Sequence, residues 1–208
     1  MYKRQDKIPE SINQVLSQDR EKVSKGNETT AVFYSISNCQ KGLKGISFGN
    51  FLIKQVANAI RTDYPNIKDF VTLSPVPGFM DWLELNNNEL FKSIDNGQFI
   101  NETDEYKDDI LKNSLDYFFN SERSDKLPND SVARFHLGNG AYLHRINFLG
   151  DLSNKALNSA AGLMVNYKYD LDKIEENHEE FFKEKNIICS NEIQLMKKNY
   201  HKKKFKFG

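Results

Sequence analysis

Cysteine is scarce in this chain of 208 residues: Cys39 and Cys189 are the only two, too few for a disulfide framework and without the spacing of metal ligands. Charge of one sign is lacking as well, because 29 basic residues cancel 29 acidic ones. No global field therefore recruits nucleic acid or an anionic membrane, and a polyanionic ligand has to be held by local geometry. No apolar run approaches the roughly 20 residues needed to cross a bilayer. The opening residues do not read as a signal peptide, so the expectation is a soluble protein in a reducing, cytoplasmic setting. What is present is enough chain for one ordinary domain with a buried core.

Apolar spacing organises that chain. Residues 1–29 are polar, with Ile8, Ile12, Val15 and Leu16 spaced for one amphipathic helix ahead of a Gly26-Asn27 break. Ala31 to Ser37 reads as a strand, and Phe48, Leu52, Ile53, Val56 and Ile60 then recur at helical spacing until Pro65. Phe70 to Leu73 is a second buried strand, so Ala31 to Leu73 predicts a parallel pair joined by a crossover helix. Residues 81–130 read as a charged helical insertion with one helix near Tyr106 to Phe119. Tyr142 to Phe148 and Leu163 to Tyr169 follow as strands, with a short helix over Lys155 to Ala161 between them. Residues 171–208 read as a charged tail closed by a helix at Glu192 to Asn199, ending in a solvated Lys202-Lys203-Lys204 run.

Three separated segments carry candidate chemistry. Lys44, Gly45, Ile46, Ser47, Phe48, Gly49 and Asn50 open the first long helix with little bulk. A helix start leaves backbone N–H groups unpaired at the positive end of the dipole, which suits phosphate oxygens. A tight turn is the plain alternative, and no Gly-Lys-Ser/Thr triplet makes this a nucleotide P-loop. Ser74 stands between a buried strand and the Pro75/Pro77 turn, where a hydroxyl is held rigidly facing outward. By itself that position reads first as a cap for a helix beginning near Pro77. His136 precedes Gly138-Asn139-Gly140, a turn small enough for close ligand approach, and an ordinary imidazole pKa of about 6.5 suits proton donation near neutrality. A structural histidine is the alternative. His144 falls within a strand, and His178 and His201 fall in charged, solvated stretches.

With these segments in view, the chain resembles a known family. Thr30 to Leu43, Gly45 to Lys54, Leu73-Ser74-Pro75-Val76-Pro77-Gly78-Phe79, Val132 to Ala141, Arg145-Ile146-Asn147 and Gly162 to Tyr167 resemble, in order, the C-terminal catalytic region of malonyl-CoA decarboxylase. The resemblance covers 30–170. It implies an α/β fold like that of the GCN5-related acetyltransferases, a mixed sheet flanked by helices, in which a helix start holds the pyrophosphate of coenzyme A. Lys44 to Asn50 occupy that place. It also implies conversion of malonyl-CoA to acetyl-CoA and carbon dioxide in fatty-acid and malonate metabolism, with Ser74 and His136 at the catalytic serine and histidine. It implies no metal and no prosthetic group, coenzyme A being part of the substrate.

The resemblance has edges too. Family members carry an N-terminal helical domain used in oligomer formation, and earlier strands, one with a glutamate near the site. The expectation is a partial catalytic domain whose first strand, Ala31 to Ser37, has an open edge, with a homo-oligomer in the full-length family or a second chain as partner. Phe148 stands where relatives usually have tryptophan. Two other functions stay open at this stage: a coenzyme A-dependent acyltransferase, and a non-catalytic remnant that binds acyl-CoA or a partner chain.

Overall fold

A computed structural model describes residues 2–18, 23–24, 26–34, 49–95, 98–101, 103–121 and 123–204, with backbone only at 49–52, 98 and 201–204. The chain starts with strand β1 (Tyr2–Gln5) and a short helix α1 (Ile12–Leu16) where one longer amphipathic helix was expected. The apolar positions explain the difference. Val15 is fully buried, with Ile8 and Ile12 beside it, in a small cluster with Val32, Val71, Leu73 and Met164, so this segment lies across one face of the sheet. Strand β2 (Thr30–Phe33) is buried throughout. β1 pairs with it antiparallel, Tyr2 against Phe33, so the edge expected to be open is closed over Thr30–Phe33.

Helix α2 (Gly49–Asp63) buries Ile53, Ala57 and Ile60, one stripe at i, i+4 and i+7. Val56, expected on that stripe, is instead 36% exposed. Strand β3 (Asp69–Thr72) runs parallel to β2, as a crossover unit requires, and β4 (Ser74–Pro75) resumes one residue later. The region expected to carry one helix carries several: α3 (Phe79–Asn86), α4 (Asn88–Ile94), a 3₁₀ turn (Gln98–Asn101) and α5 (Thr103–Phe119). Asn87 makes the division, accepting a hydrogen bond from the Leu90 N–H at 3.2 Å and so starting α4 where α3 stops.

Helix α6 (Ser131–Gly138), strand β5 (Tyr142–Asn147), α7 (Asn154–Ala160) and β6 (Met164–Tyr169) follow, then α8 (Ile174–Glu179), a π-helical turn (Glu180–Glu184) and α9 (Asn191–Lys204). The strands form one six-stranded mixed sheet ordered β1-β2-β3-β6-β4, with β5 on the other side of β6. Register assigns the faces. Thr72, Ser74, Tyr167 and Tyr169 look toward the large core under α6, while Asn166 and Arg145 pair on the face that carries α1. The outer side of β5 is also occupied: Leu143 N–H donates to the Ile188 carbonyl, and Ser190 N–H to the Leu143 carbonyl, both at 2.9 Å.

Candidate active site

Ser74 and His136, sixty-two residues apart, meet in the core with Oγ 3.1 Å from Nε2. Both are buried, 5% and 3% exposed. A break between β3 and β4 places the serine. Leu73 turns into the small cluster on the α1 face, and its neighbours Thr72 and Ser74 turn toward α6. Same-face residues of a regular strand stand about 6.6 Å apart. The Ser74 hydroxyl nevertheless donates to Thr72 Oγ1 at 3.0 Å, which needs the bend at Leu73. Ser74 therefore neither faces outward nor caps α3: Gly78 holds the N-cap position, with no side-chain cap.

His136 sits near the end of α6, whose first turn is fixed by the Asp130 carboxylate accepting from Ala133 N–H at 2.6 Å. The Tyr169 hydroxyl lies 2.9 Å from Nδ1. The Tyr167 ring stacks on the imidazole at 4.8 Å, and Thr72 Oγ1 also accepts from the Tyr167 N–H at 3.2 Å. These contacts assign a direction to the hydrogens. With the Ser74 hydrogen given to Thr72, Ser74 Oγ accepts from His136 Nε2–H, and the unprotonated Nδ1 accepts from the Tyr169 O–H.

Burial sets the electrostatics. It pushes the His136 pKa down to about 3, so the imidazole is uncharged at neutral pH and does not titrate near 6.5 as the sequence suggested. The Tyr169 and Tyr167 phenols are pushed well above their ordinary range by the same desolvation. Asp130, also buried, is raised to about 7 against the lowering effect of the Ala133 and Val132 amides. His144 is lowered to about 4 by burial, then by the Lys168 and Arg145 charges.

Lys44, Gly45, Ile46, Ser47 and Phe48 lie outside the described residues; Gly49 and Asn50 form the start of α2. Gly138 and Gly140 do leave space, but protein fills it. A Cβ on Gly140, whose φ is +77°, would stand 2.2 Å from the Ile174 carbonyl oxygen, and one on Gly138 would stand 3.1 Å from Phe182 Cζ. His178 is half-buried rather than solvated, with Nδ1 2.6 Å from the Gly138 carbonyl oxygen. The His201 side chain lies outside the described residues. Sequence reasoning missed Thr72, Tyr167, Tyr169 and Asp130. Only the alternation Tyr167-Lys168-Tyr169 hinted that two phenols share one face. Among the described residues no group of three or more His, Cys, Asp or Glu side chains is placed to hold a metal ion, and no helix is long and apolar enough to cross a membrane.

The fold is thus α/β, a mixed sheet whose bent strand brings a buried serine within 3.1 Å of a buried, uncharged histidine. The model of the malonyl-CoA decarboxylase C-terminal domain matches residues 4–206, and the chain belongs to that family. The match takes in both flanks, beyond the stretch on which the resemblance was first drawn. Malonyl-CoA decarboxylase from Agrobacterium vitis is 43% identical in sequence and superimposes with a TM-score of 0.87 over 94% of this chain and 52% of its own. The enzyme from Rhodopseudomonas palustris gives 41% identity and 0.86 over 94% and 48%. The mitochondrial malonyl-CoA decarboxylase of Anser anser anser is 34% identical over 89% of this chain and 42% of its own length. The chain thus spans about half the length of the relatives it matches.

Proposed function

We propose that this domain decarboxylates malonyl-CoA to acetyl-CoA and carbon dioxide, in fatty-acid and malonate metabolism, through Ser74 and His136. The observation that carries the reading is the buried 3.1 Å contact between Ser74 Oγ and His136 Nε2. Cleavage of the bond between the malonyl carboxylate and C2 leaves its electron pair as a thioester enolate. A positioned donor aimed at that developing charge is worth about 3–4 kcal/mol in the barrier. On substrate binding the Ser74 hydroxyl turns from Thr72 toward the enolate and gives its proton to C2, since a thioester carbanion is a stronger base than an alkoxide. His136 Nε2–H shares its proton with the new alkoxide, and one proton from water restores the pair after carbon dioxide leaves. An uncharged imidazole, held by Tyr169 and Tyr167, suits this donor role across a wide pH range.

Coenzyme A enters as part of the substrate. The segment Lys44 to Asn50 is the proposed grip on its pyrophosphate. α2 begins at Gly49 with no acidic residue in its first turn, so no carboxylate from that turn competes with a phosphate for its amides. The test is the protein with malonyl-CoA alone, following acetyl-CoA and carbon dioxide, beside Ser74→Ala and His136→Asn. Each variant should lose at least ~100-fold in kcat per folded molecule. Near-parental turnover in both variants would overturn the assignment. Binding without turnover would point to a remnant that only holds acyl-CoA, and transfer dependent on an acceptor to an acyltransferase.

A further inference from the structure

The turn that follows His136 is held by a single stripe of another helix. Ile174, Asn177, His178, Phe181 and Phe182 recur at i, i+3, i+4, i+7 and i+8 through α8 and the π-helical turn. Each touches residues 138–140 or packs within the same stripe. His178 Nδ1 meets the Gly138 carbonyl at 2.6 Å, and Asn177 Nδ2 donates to the Gly140 carbonyl at 3.1 Å. Phe182 lies over Gly138, with the His178 ring 4.8 Å from its own, and the Ile174 carbonyl lies over Gly140. The two glycines are small because this helix passes over them.

The clamp acts on the last turn of α6, where His136 is anchored. The His136 carbonyl itself accepts from Asn139 and Ala141 N–H, each at 3.1 Å, so residues 139–141 are tied directly to the histidine backbone. Since the Gly138 carbonyl can only accept, Nδ1 of His178 must carry a hydrogen. At its other end α8 is joined to α2 by the Lys54–Glu175 ion pair at 2.6 Å. One element thus touches both the helix proposed to meet coenzyme A and the helix that carries the imidazole.

We propose that His178 is a positioning residue for His136, holding the end of α6 so that Nε2 stays in line with Ser74 Oγ. This rests on the decarboxylase reading above. A merely structural role would lower stability and leave the turnover of folded protein unchanged. A positioning role lowers kcat, because small misplacement of a proton donor is costly. The experiment compares parent, His178→Ala and His178→Asn, the last keeping an N–H close to the place of Nδ1. For the full chain with malonyl-CoA, His178→Ala should lose ~10- to 100-fold in kcat with KM within about twofold, and His178→Asn should recover most of the loss. The His136 imidazole nitrogen resonances should shift in His178→Ala and return in His178→Asn. Unchanged kcat per folded molecule, or resonances that do not move, would overturn the proposal. If the parent itself does not turn over malonyl-CoA, the decarboxylase reading fails instead, and the His136 resonances still decide whether His178 positions the ring.

Discussion

Two polar networks use the same strand, β6, from opposite faces of the sheet, and they are built from different materials. On the α6 face, Tyr169, His136, Ser74 and Thr72 are joined by hydrogen bonds with no formal charge, beneath the stacked Tyr167 ring. On the α1 face, the Arg145 guanidinium donates to the Ile8 and Pro9 carbonyls and to Asn147 and Asn166, and pairs with Glu10 at 3.2 Å. Asn166 adds bonds to the Pro9 and Thr72 carbonyls. The charged network satisfies nearly every donor it has and ties the N-terminal segment to the sheet. The uncharged one is a chain of three hydroxyls and one imidazole, bonded largely to one another through hydrogens that can change partner. The network that holds a chain is saturated, and the one proposed to move a proton is left with a choice of partner.

That contrast breaks most visibly with Ser74→Ala, expected to cost at least ~100-fold in kcat per folded molecule and about 1–3 kcal/mol in urea unfolding, because it leaves His136 Nε2–H without its buried acceptor. Arg145→Met should do the reverse: about 2–4 kcal/mol lost in urea unfolding from stranded carbonyls and amides, with kcat per folded molecule within about threefold. Asp130 sharpens the electrostatic side. Its carboxyl is raised to about 7 in the fold but ionises near 3.8 when unfolded, so its contribution is present at low pH and lost as pH rises through 7. His136 works in the other direction: lowered to about 3, it costs stability as pH falls below about 6.5, where the unfolded imidazole takes up a proton first. Asp130→Asn should therefore remove a decline of about 2–3 kcal/mol between pH 5 and 7, read as a thermal midpoint that climbs from pH 5 to 6.5 under the His136 contribution alone, where the parent's stays nearly level. Thr72→Val tests the one residue shared by both networks. It removes Oγ1 but keeps the carbonyl that Asn166 uses, so about 1 kcal/mol of stability and a kcat loss of a few fold are expected together.

Where local pattern decides structure, the sequence was legible. The strands β2, β3, β5 and β6 and the helices α2, α5 and α9 fall close to where they were expected. β1 was not, because Tyr2-Lys3-Arg4-Gln5 has no apolar alternation and becomes a strand only by pairing with Thr30–Phe33. The site was legible only through family resemblance. Ser74 alone reads as a helix cap, and its bond to His136 crosses sixty-two residues that no local window spans. Thr72 and Tyr169 were missed for the same reason: each acts through a partner brought by strand pairing. The glycines after His136 were noticed for their size and assigned the wrong neighbour, since nothing local reveals that Ile174 and Phe182 arrive there.

The backbone bonds from residues 188 and 190 along the outer side of β5 also bear on how the protein behaves in crowded solution. Leu143 has both its N–H and its carbonyl engaged there, and the Ser190 hydroxyl takes the His144 carbonyl at 2.6 Å. A foreign strand approaching the rim at Leu143 and His144 would find those groups already bonded, a local guard against the edge-to-edge stacking that leads to aggregates.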